Sequence, residues 1–282
     1  LLREYLEAKA AIQVEHIEED LEAERVISLY LMNHYLRVGK GQPEWWKPDH
    51  GQASPLIDEL VRKHWDQGPF AVISGWLSRT AAKSSVIELG CGVGGLYSAI
   101  QDRCSSYLGV DGSFASIALA RHVALGAKYA AKLRIPRDLL QGPVSADPRI
   151  TPVRGADGRA DFIVGELENL PVEKGEWGMS IALNAIDMLP DPASLPRLQL
   201  ALVHKGGIAI QSCPYIWHAE VSAELRKILP KTVKDSAAAV EWIYEKEGFK
   251  LLERTDHVPW LFYKHARQLE VYSVHMILAE KR

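Results

Sequence analysis

Four glycines and one glutamate occur within the segment Val86-Ile87-Glu88-Leu89-Gly90-Cys91-Gly92-Val93-Gly94-Gly95-Leu96. The apolar residues before Gly90 predict a short buried strand, and a helical pattern begins at Leu96. Glycine is needed where the backbone turns with positive φ or where a ligand must approach the main chain closely. The segment therefore predicts a loop that holds a cofactor.

The glycine spacing and Glu88 indicate which kind of cofactor this loop holds. Dinucleotide folds place G-x-G-x-x-G against a pyrophosphate, whereas here the spacing is Gly90-x-Gly92-x-Gly94 with Glu88 just ahead. A carboxylate beside a phosphate is repulsive, so the acid favours a cofactor with a cationic end. The aminoacyl end of S-adenosylmethionine is such a group. Asp111 ends a second predicted strand, where it is placed to hold a ribose diol.

The order E-x-G-x-G-x-G, then a strand, then Asp resembles the class I S-adenosylmethionine-dependent methyltransferases. The resemblance implies an α/β, Rossmann-like, seven-stranded sheet flanked by helices, with an N-terminal helical cap. It also implies that Glu166 binds the adenine amino group and that the Leu167 N–H meets a ring nitrogen. Because ligands bind beyond the carboxyl ends of the strands in such sheets, Asn184 after the fourth strand is expected beside the reacting methyl group. The predicted cofactor-binding residues are Glu88, Gly90, Cys91, Gly92, Gly94, Asp111, Gly112, Ser113, Glu166, Leu167 and Asn184. The alternatives are a structural turn at the glycines and a solvated turn acid at Glu166.

Length and composition predict one catalytic domain with appended elements. A chain of 282 residues can bury one large core. We expect a helical cap or lid over 1–82 and a methyltransferase domain over 83–282, with a loop-rich insertion at 128–159. The net charge of −3 without a Lys/Arg block argues against nucleic acid as the main partner.

The three cysteines are widely spaced and show no zinc pattern, so we expect reduced thiols, no metal site and a cytoplasmic location. No run of residues has the length and apolarity of a membrane span, and no secretion signal opens the chain. We therefore expect no membrane partner.

Six residues are candidates for handling the substrate. His34 and Tyr35 share one helical stripe with apolar residues of the N-terminal segment. Tyr215 and His218 follow the fifth predicted strand, which covers 208–213. Asp256 and His257 begin a segment, 256–267, that we expect to be a crossover between the last two strands. For each candidate, packing in the core or on the surface is the alternative.

A closer resemblance extends over most of the chain. Several motifs resemble the mercaptohistidine methyltransferase domain of ovothiol biosynthesis: Tyr30-Leu31-Met32-Asn33-His34-Tyr35, Leu189-Pro190-Asp191-Pro192, Gly206-Gly207, Cys213-Pro214-Tyr215-Ile216-Trp217, and Asp256 to Arg267. The resemblance implies methylation of a ring nitrogen of 5-thiohistidine. It also implies fusion to, or partnership with, an iron-dependent sulfoxide synthase. A relative with a different imidazole or amine substrate would show nearly the same motifs.

The sequence therefore predicts an S-adenosylmethionine-dependent N-methyltransferase for a small imidazole or amine. A neutral imidazole has its own lone pair, so it needs a group that selects the tautomer and accepts or relays a proton rather than a strong base. Two alternatives stay open. One is a protein or RNA methyltransferase with an open, basic groove, and the other is an S-adenosylmethionine-binding protein without catalysis.

Overall fold

The computed structural model describes residue 30 and residues 55–79, 82–125, 133–135, 144–146, 158–265 and 268–282. The helices are α1 (Pro55–Gln67), α2 (Pro69–Ser78), α3 (Tyr97–Ile100), α4 (Phe114–Leu125), α5 (Ser194–Leu202), α6 (Ala219–Ile228) and α7 (Ser236–Glu247). The strands are β1 (Ser84–Leu89), β2 (Cys104–Asp111), β3 (Leu133–Ile135), β4 (Val144–Ala146), β5 (Ala160–Val164), β6 (Trp177–Leu183), β7 (Val203–Cys213), β8 (Phe249–His265) and β9 (Gln268–Lys281). Single 3₁₀ turns lie at Gln101–Arg103, Leu167–Asn169 and Ile186–Met188.

The seven longer strands form one sheet in the order β5-β2-β1-β6-β7-β9-β8. Strand β9 is antiparallel to both of its neighbours, and the remaining adjacent pairs are parallel. The prediction of a Rossmann-like, seven-stranded α/β sheet is confirmed. Its parallel strands all end at one edge, which we call the carboxyl edge.

Helices cover both faces of the sheet because strand residues alternate between two apolar cores. Val86 of β1 packs with apolar residues of α2, α3 and α4 on one face. Ile87 and Leu89 pack with residues of α5 and α7 on the other face. All three side chains are at most 1% exposed. Burial of both faces explains why β1 is a nearly continuous apolar run.

Residues 256–265, the described part of the predicted crossover, are instead strand, so that prediction is wrong. Strand β8 continues to His265, and β9 begins at Gln268. Trp260 pairs with Tyr272, and aromatic and β-branched side chains of this kind favour a pleated sheet. Helix α1 supports the extended hairpin, because the Leu261 N–H donates to Nδ1 of the buried His64 at 3.1 Å.

One irregularity interrupts this hairpin near the carboxyl edge. Two residues of β8, Asp256 and His257, lie opposite the single residue His275 of β9, which is the pattern of a β-bulge. His257 has a φ of 57°, as the extra residue of a bulge often requires. The bulge brings both predicted catalytic residues to the level of the sheet at which β7 ends.

Two predicted appendages are described only in part. Within the expected loop-rich insertion at 128–159, β3 and β4 pair in antiparallel fashion, with Leu133 opposite Ala146. Helices α1 and α2 lie within the range 1–82, where a helical cap or lid is expected. His34 and Tyr35 lie outside the described residues, so their roles and the helical cap over 1–82 stay predictions. No helix in the described ranges has the length and apolarity needed to cross a membrane.

Gly109 of β2 provides a direct test of the packing between β2 and β5. A Cβ at this position would lie 2.4 Å from Cδ1 of Phe162, whose side chain is fully buried. We expect Gly109→Ala to lower the free energy of unfolding by about 1–3 kcal/mol, the usual cost of overpacking a core. Gly75→Ala in α2 is the control, because its Cβ would meet nothing within 4 Å. That change should stabilise the helix by about 0.5–1 kcal/mol. Equal urea midpoints for the two variants would contradict this packing.

Candidate active site

The predicted cofactor residues lie together at the carboxyl edge. Register places Leu89 of β1 beside Val110 of β2 on one side and beside Ala182 of β6 on the other. Asp111 is paired with Val164 at the end of β5. The loops after β1, β2, β5 and β6 therefore emerge next to one another, as the predicted binding mode requires.

The glycine loop after β1 is held close to β2 by its backbone. Gly90, Gly92 and Gly94 have φ values of 74°, 51° and 75°, in the region that favours glycine. The N–H groups of Gly90 and Cys91 both donate to the Val110 carbonyl, at 2.8 and 2.9 Å. A Cβ built on Gly92 would meet nothing within 4 Å, so the space beside this residue is open.

Asp111 joins the glycine loop to the start of α4. Its Oδ2 accepts from the Gly92 N–H at 2.9 Å, and its Oδ1 accepts from the Ser113 N–H at 2.8 Å. Ser113 Oγ in turn accepts from the Ser116 N–H at 3.2 Å, and Ser113 thereby caps helix α4. A carboxylate oxygen has room for a further donor, and a Cβ at the neighbouring Gly112 would also meet open space. The carboxylate is thus oriented and still able to accept hydrogen bonds.

Glu88 is buried and paired, which the sequence did not suggest. Its side chain is 3% exposed, and its Oε2 accepts a hydrogen bond from the Tyr107 hydroxyl. Burial raises the pKa of Glu88 to about 8, against the lowering effect of the Tyr107 hydrogen bond, and the Asp111 charge raises it further. Burial likewise raises the pKa of the Cys91 thiol. The Glu88 carboxyl is thus enclosed beside Tyr107, and its contact with a cofactor ammonium stays a prediction.

The third loop follows β5 and contacts Asp111 through its backbone. The Gly165 N–H donates to the Asp111 carbonyl at 3.1 Å. Glu166 is exposed and Leu167 is half-buried, and the Glu166 carbonyl accepts from the Asn169 N–H at 3.1 Å. Glu166 therefore lies on the loop next to Asp111, in an exposed position that is compatible with the adenine-binding role predicted for it.

Asn184 stands at the end of β6 in a strained conformation. Its φ is 54°, which is uncommon for a residue other than glycine and clusters at functional sites. The Asn184 N–H donates to the Ser212 carbonyl at 2.8 Å, and Ser212 Oγ donates to Asn184 Oδ1 at 3.2 Å. Ser212 of β7 therefore holds the Asn184 side chain in place, a role that the sequence did not indicate.

Tyr215, just after β7, has the most side-chain partners of the predicted catalytic residues that the structure describes. Its φ is 62°, and its hydroxyl lies 2.6 Å from Nδ1 of His275. His275 Nε2 lies 3.2 Å from Glu241 Oε1, and Arg254 donates to Glu241 Oε2 at 2.8 Å. His275 and Glu241 were missed by sequence reasoning. A histidine inside the apolar run of β9 was a usable signal, whereas Glu241 on α7 gave none.

Aromatic packing also holds Tyr215. Its ring stacks on Trp217 with centroids 5.6 Å apart and planes at 10°. Trp217 Nε1 donates to Ser236 Oγ at 3.0 Å, which anchors the pair to α7. The buried Asp187 accepts from the Ile216 N–H at 2.7 Å, so the loop after β7 is tied to the loop after β6. Two parallel ring faces are therefore fixed at the carboxyl edge.

Three other predicted catalytic residues lie in the described part of the chain, and they differ in how they relate to Tyr215. Asp256 and His257 are exposed in the bulge opposite His275, and His257 Nδ1 lies 3.1 Å from Ser273 Oγ. His218 is exposed at the start of α6, and the hydrogen bonds linking Tyr215, His275 and Glu241 in the described structure do not include it. No group of three or more His, Cys, Asp or Glu side chains in the described ranges could hold a metal ion.

Among solved structures, the chain is similar to magnesium protoporphyrin IX methyltransferase (ChlM) from Synechocystis PCC 6803. The structure of that enzyme with bound SAH has a TM-score of 0.51 at 15% identity, covering 89% of this chain and 94% of that one. The structure with bound SAM has a TM-score of 0.50 at 14% identity, covering 92% and 97%. No protein-family model and no curated protein sequence matches the chain. At this identity the likeness shows the fold, which is that of the class I methyltransferases.

Proposed function

We propose that the chain is an S-adenosylmethionine-dependent N-methyltransferase acting on a small imidazole or amine, with a 5-thiohistidine-like compound as its substrate. The observation that carries the proposal is the pair of hydrogen bonds from Gly92 and Ser113 to the Asp111 carboxylate. They join a positive-φ glycine loop to an acid at the next strand end. This constellation suits a ligand that brings a cationic end and a ribose to the same edge.

The residues at this edge fit the methyl donor on three counts. The space beside Gly92 and Gly112 is open, so a ligand can contact the main chain there. Asp111 keeps acceptor capacity for a ribose diol. Glu166, exposed after β5, can accept from an adenine amino group. The residues that would hold the donor are those predicted from the sequence, with Asn184 nearest the reacting end.

Methyl transfer to an imidazole depends on alignment of the two reactants by the protein more than on a strong acid or base. When bound, S-adenosylmethionine supplies an electrophilic methyl group on a sulfonium. A neutral imidazole, with a pKa of about 6.5, attacks with its own lone pair. Proximity and orientation are worth about 7–11 kcal/mol in well-aligned systems. The rigid edge formed by Asn184, Ser212 and Tyr215 supports such a role.

The substrate assignment is supported by the side chains around Tyr215. The stacked Tyr215 and Trp217 rings offer an aromatic face, which favours flat or cationic groups. The choice of 5-thiohistidine rests on the motif resemblance described above. In that proposal a sulfoxide synthase, fused or separate, supplies the thiolated histidine.

A product assay tests the proposal. The protein is incubated with S-adenosylmethionine and, separately, with histidine, 5-thiohistidine, histamine and carnosine, and products are read by mass spectrometry. We expect a gain of one methyl group on 5-thiohistidine or on another imidazole of the panel. Donor binding in calorimetry without any methylated product would overturn the catalytic proposal. Methylation only of added protein or RNA would overturn the substrate class.

A further inference from the structure

The Tyr215 hydroxyl, His275 and Glu241 form a hydrogen-bond chain whose direction can be derived. Glu241 as a carboxylate only accepts hydrogen bonds, and its other oxygen accepts from Arg254. The proton of His275 must therefore sit on Nε2, which faces Glu241 at 3.2 Å. Nδ1 is then an acceptor, so the Tyr215 hydroxyl donates to it at 2.6 Å.

Burial favours the neutral form of His275, which this pattern of hydrogen bonds requires. His275 is 4% exposed. Burial lowers the pKa of its imidazole, against the raising effects of Glu241, Asp256 and Asp235. Burial also raises the pKa of the Tyr215 hydroxyl, with added contributions from Cys213, Tyr244, Asp256 and Glu241, so it stays a donor.

The hydrogen-bond chain from Glu241 through His275 ends at Tyr215. This residue lies at the carboxyl edge and has a strained backbone conformation. Register pairs His275 with Cys213, the last residue of β7, and Tyr215 follows at a φ of 62°. Strain of this kind persists only where the surroundings over-determine it. Here the Tyr215 N–H donates to Cys213 Sγ at 3.3 Å, and the ring stacks on Trp217. The half-buried Tyr215 is thus fixed in both position and hydrogen-bond direction.

We infer that His275 and Glu241 are positioning residues that commit the Tyr215 hydroxyl as a donor and leave its oxygen only accepting toward the substrate. The inference rests on the proposed function. An oxygen that can only accept selects the imidazole tautomer with its N–H toward Tyr215. The opposite ring nitrogen then carries the lone pair and is the one that is methylated. The three residues therefore choose both the tautomer and the nitrogen.

A first test reads the histidine itself and needs no substrate. Nitrogen-15 NMR of labelled wild-type protein should show His275 in the Nε2–H tautomer, its signals being assigned by their loss in His275→Gln. Glu241→Gln, whose amide can also donate, should mix or reverse the tautomers. Glu245→Gln, an exposed change on the same helix, is the matched control and should leave them unchanged. An Nδ1–H tautomer, or a charged ring, in the wild type at neutral pH would overturn the inference.

A second test reads selectivity during turnover. The ratio of kcat/KM for 5-thiohistidine to that for its counterpart already methylated at the ring nitrogen facing Tyr215 should fall about 10- to 100-fold in Tyr215→Phe, which lacks the accepting oxygen. Glu241→Gln should lower the ratio in the same direction, and its effect should not add to that of Tyr215→Phe. His204→Gln changes an exposed histidine that is remote from the hydrogen bonds linking Tyr215, His275 and Glu241, and it should leave the ratio unchanged. A uniform loss of activity with an unchanged ratio would mean that these residues only support the fold, and would overturn the inference.

The two tests separate this inference from the proposed function. If wild-type protein methylates nothing in the panel, the proposed function fails, and the inference about the substrate fails with it whatever the NMR result. If wild-type protein methylates 5-thiohistidine while the selectivity ratio is unchanged in both Tyr215→Phe and Glu241→Gln, the inference fails alone.

Discussion

Replacing Asp111 with asparagine is expected to weaken binding of S-adenosylmethionine and of its demethylated product about 10- to 100-fold. The carboxylate accepts from Gly92 and Ser113. In the proposed function, its remaining lone pairs accept from the ribose hydroxyls. An amide keeps one accepting oxygen and turns a donor toward the other N–H. A hydrogen bond to a charged group contributes about 1.5–3 kcal/mol, and about 1.4 kcal/mol corresponds to a tenfold change in affinity.

Isothermal titration calorimetry with the product measures this effect without turnover. Asp102→Asn is the matched control, because Asp102 is exposed in the 3₁₀ turn before β2, at the opposite end of the same strand. Thermal melting of both variants separates a binding defect from a folding defect. Unchanged affinity in a folded Asp111→Asn protein would contradict the role of this edge in holding the donor.

Glu88 is expected to make the stability of the unliganded protein fall as the pH rises. Its pKa is raised from 4.5 in the unfolded chain to about 8 in the folded protein. Between these values the unfolded state is ionised and the folded state is protonated, so folding takes up a proton. Stability therefore falls by about 1.4 kcal/mol per pH unit across this window and levels off above pH 8. The whole window corresponds to about 5 kcal/mol.

Glu88→Gln removes this titration and keeps a similar shape. We expect the difference between its free energy of unfolding in urea and that of the wild type to grow in favour of the variant from pH 5.5 to about pH 8 and then to level off. Other titrating groups cancel in the difference between the two proteins. Glu176→Gln, at an exposed glutamate, should instead run parallel to the wild type at every pH. A Glu88→Gln curve parallel to the wild type would show that the buried carboxyl is not the source of the pH dependence.

Local sequence signals predicted the backbone geometry of the glycine loop and the position of Asp111. The glycine loop, Asp111 and the Ser113 cap lie within one strand-loop-strand-loop unit. The residue types in this unit indicate the backbone conformation that each position needs. Positive φ at Gly90, Gly92 and Gly94 needs glycine whatever the rest of the chain does. The same locality explains why the β8–β9 hairpin was missed, since the pairing of residues beyond Val258 depends on a partner strand and on His64 of α1.

The sequence by itself determined the composition of the glycine loop, because glycine spacing acts over a few residues, and its resemblance to the class I methyltransferases implied the seven-stranded sheet. Only the tertiary structure decided the state of Glu88 and the partners of Tyr215. Parallel pairing of β1 with β2 brings Tyr107 under Glu88 and excludes water from both. Antiparallel pairing of β7 with β9, and the packing of α7 on that face, bring His275 and Glu241 to Tyr215. Side chains this far apart in sequence meet through register and burial, which no short stretch of sequence encodes.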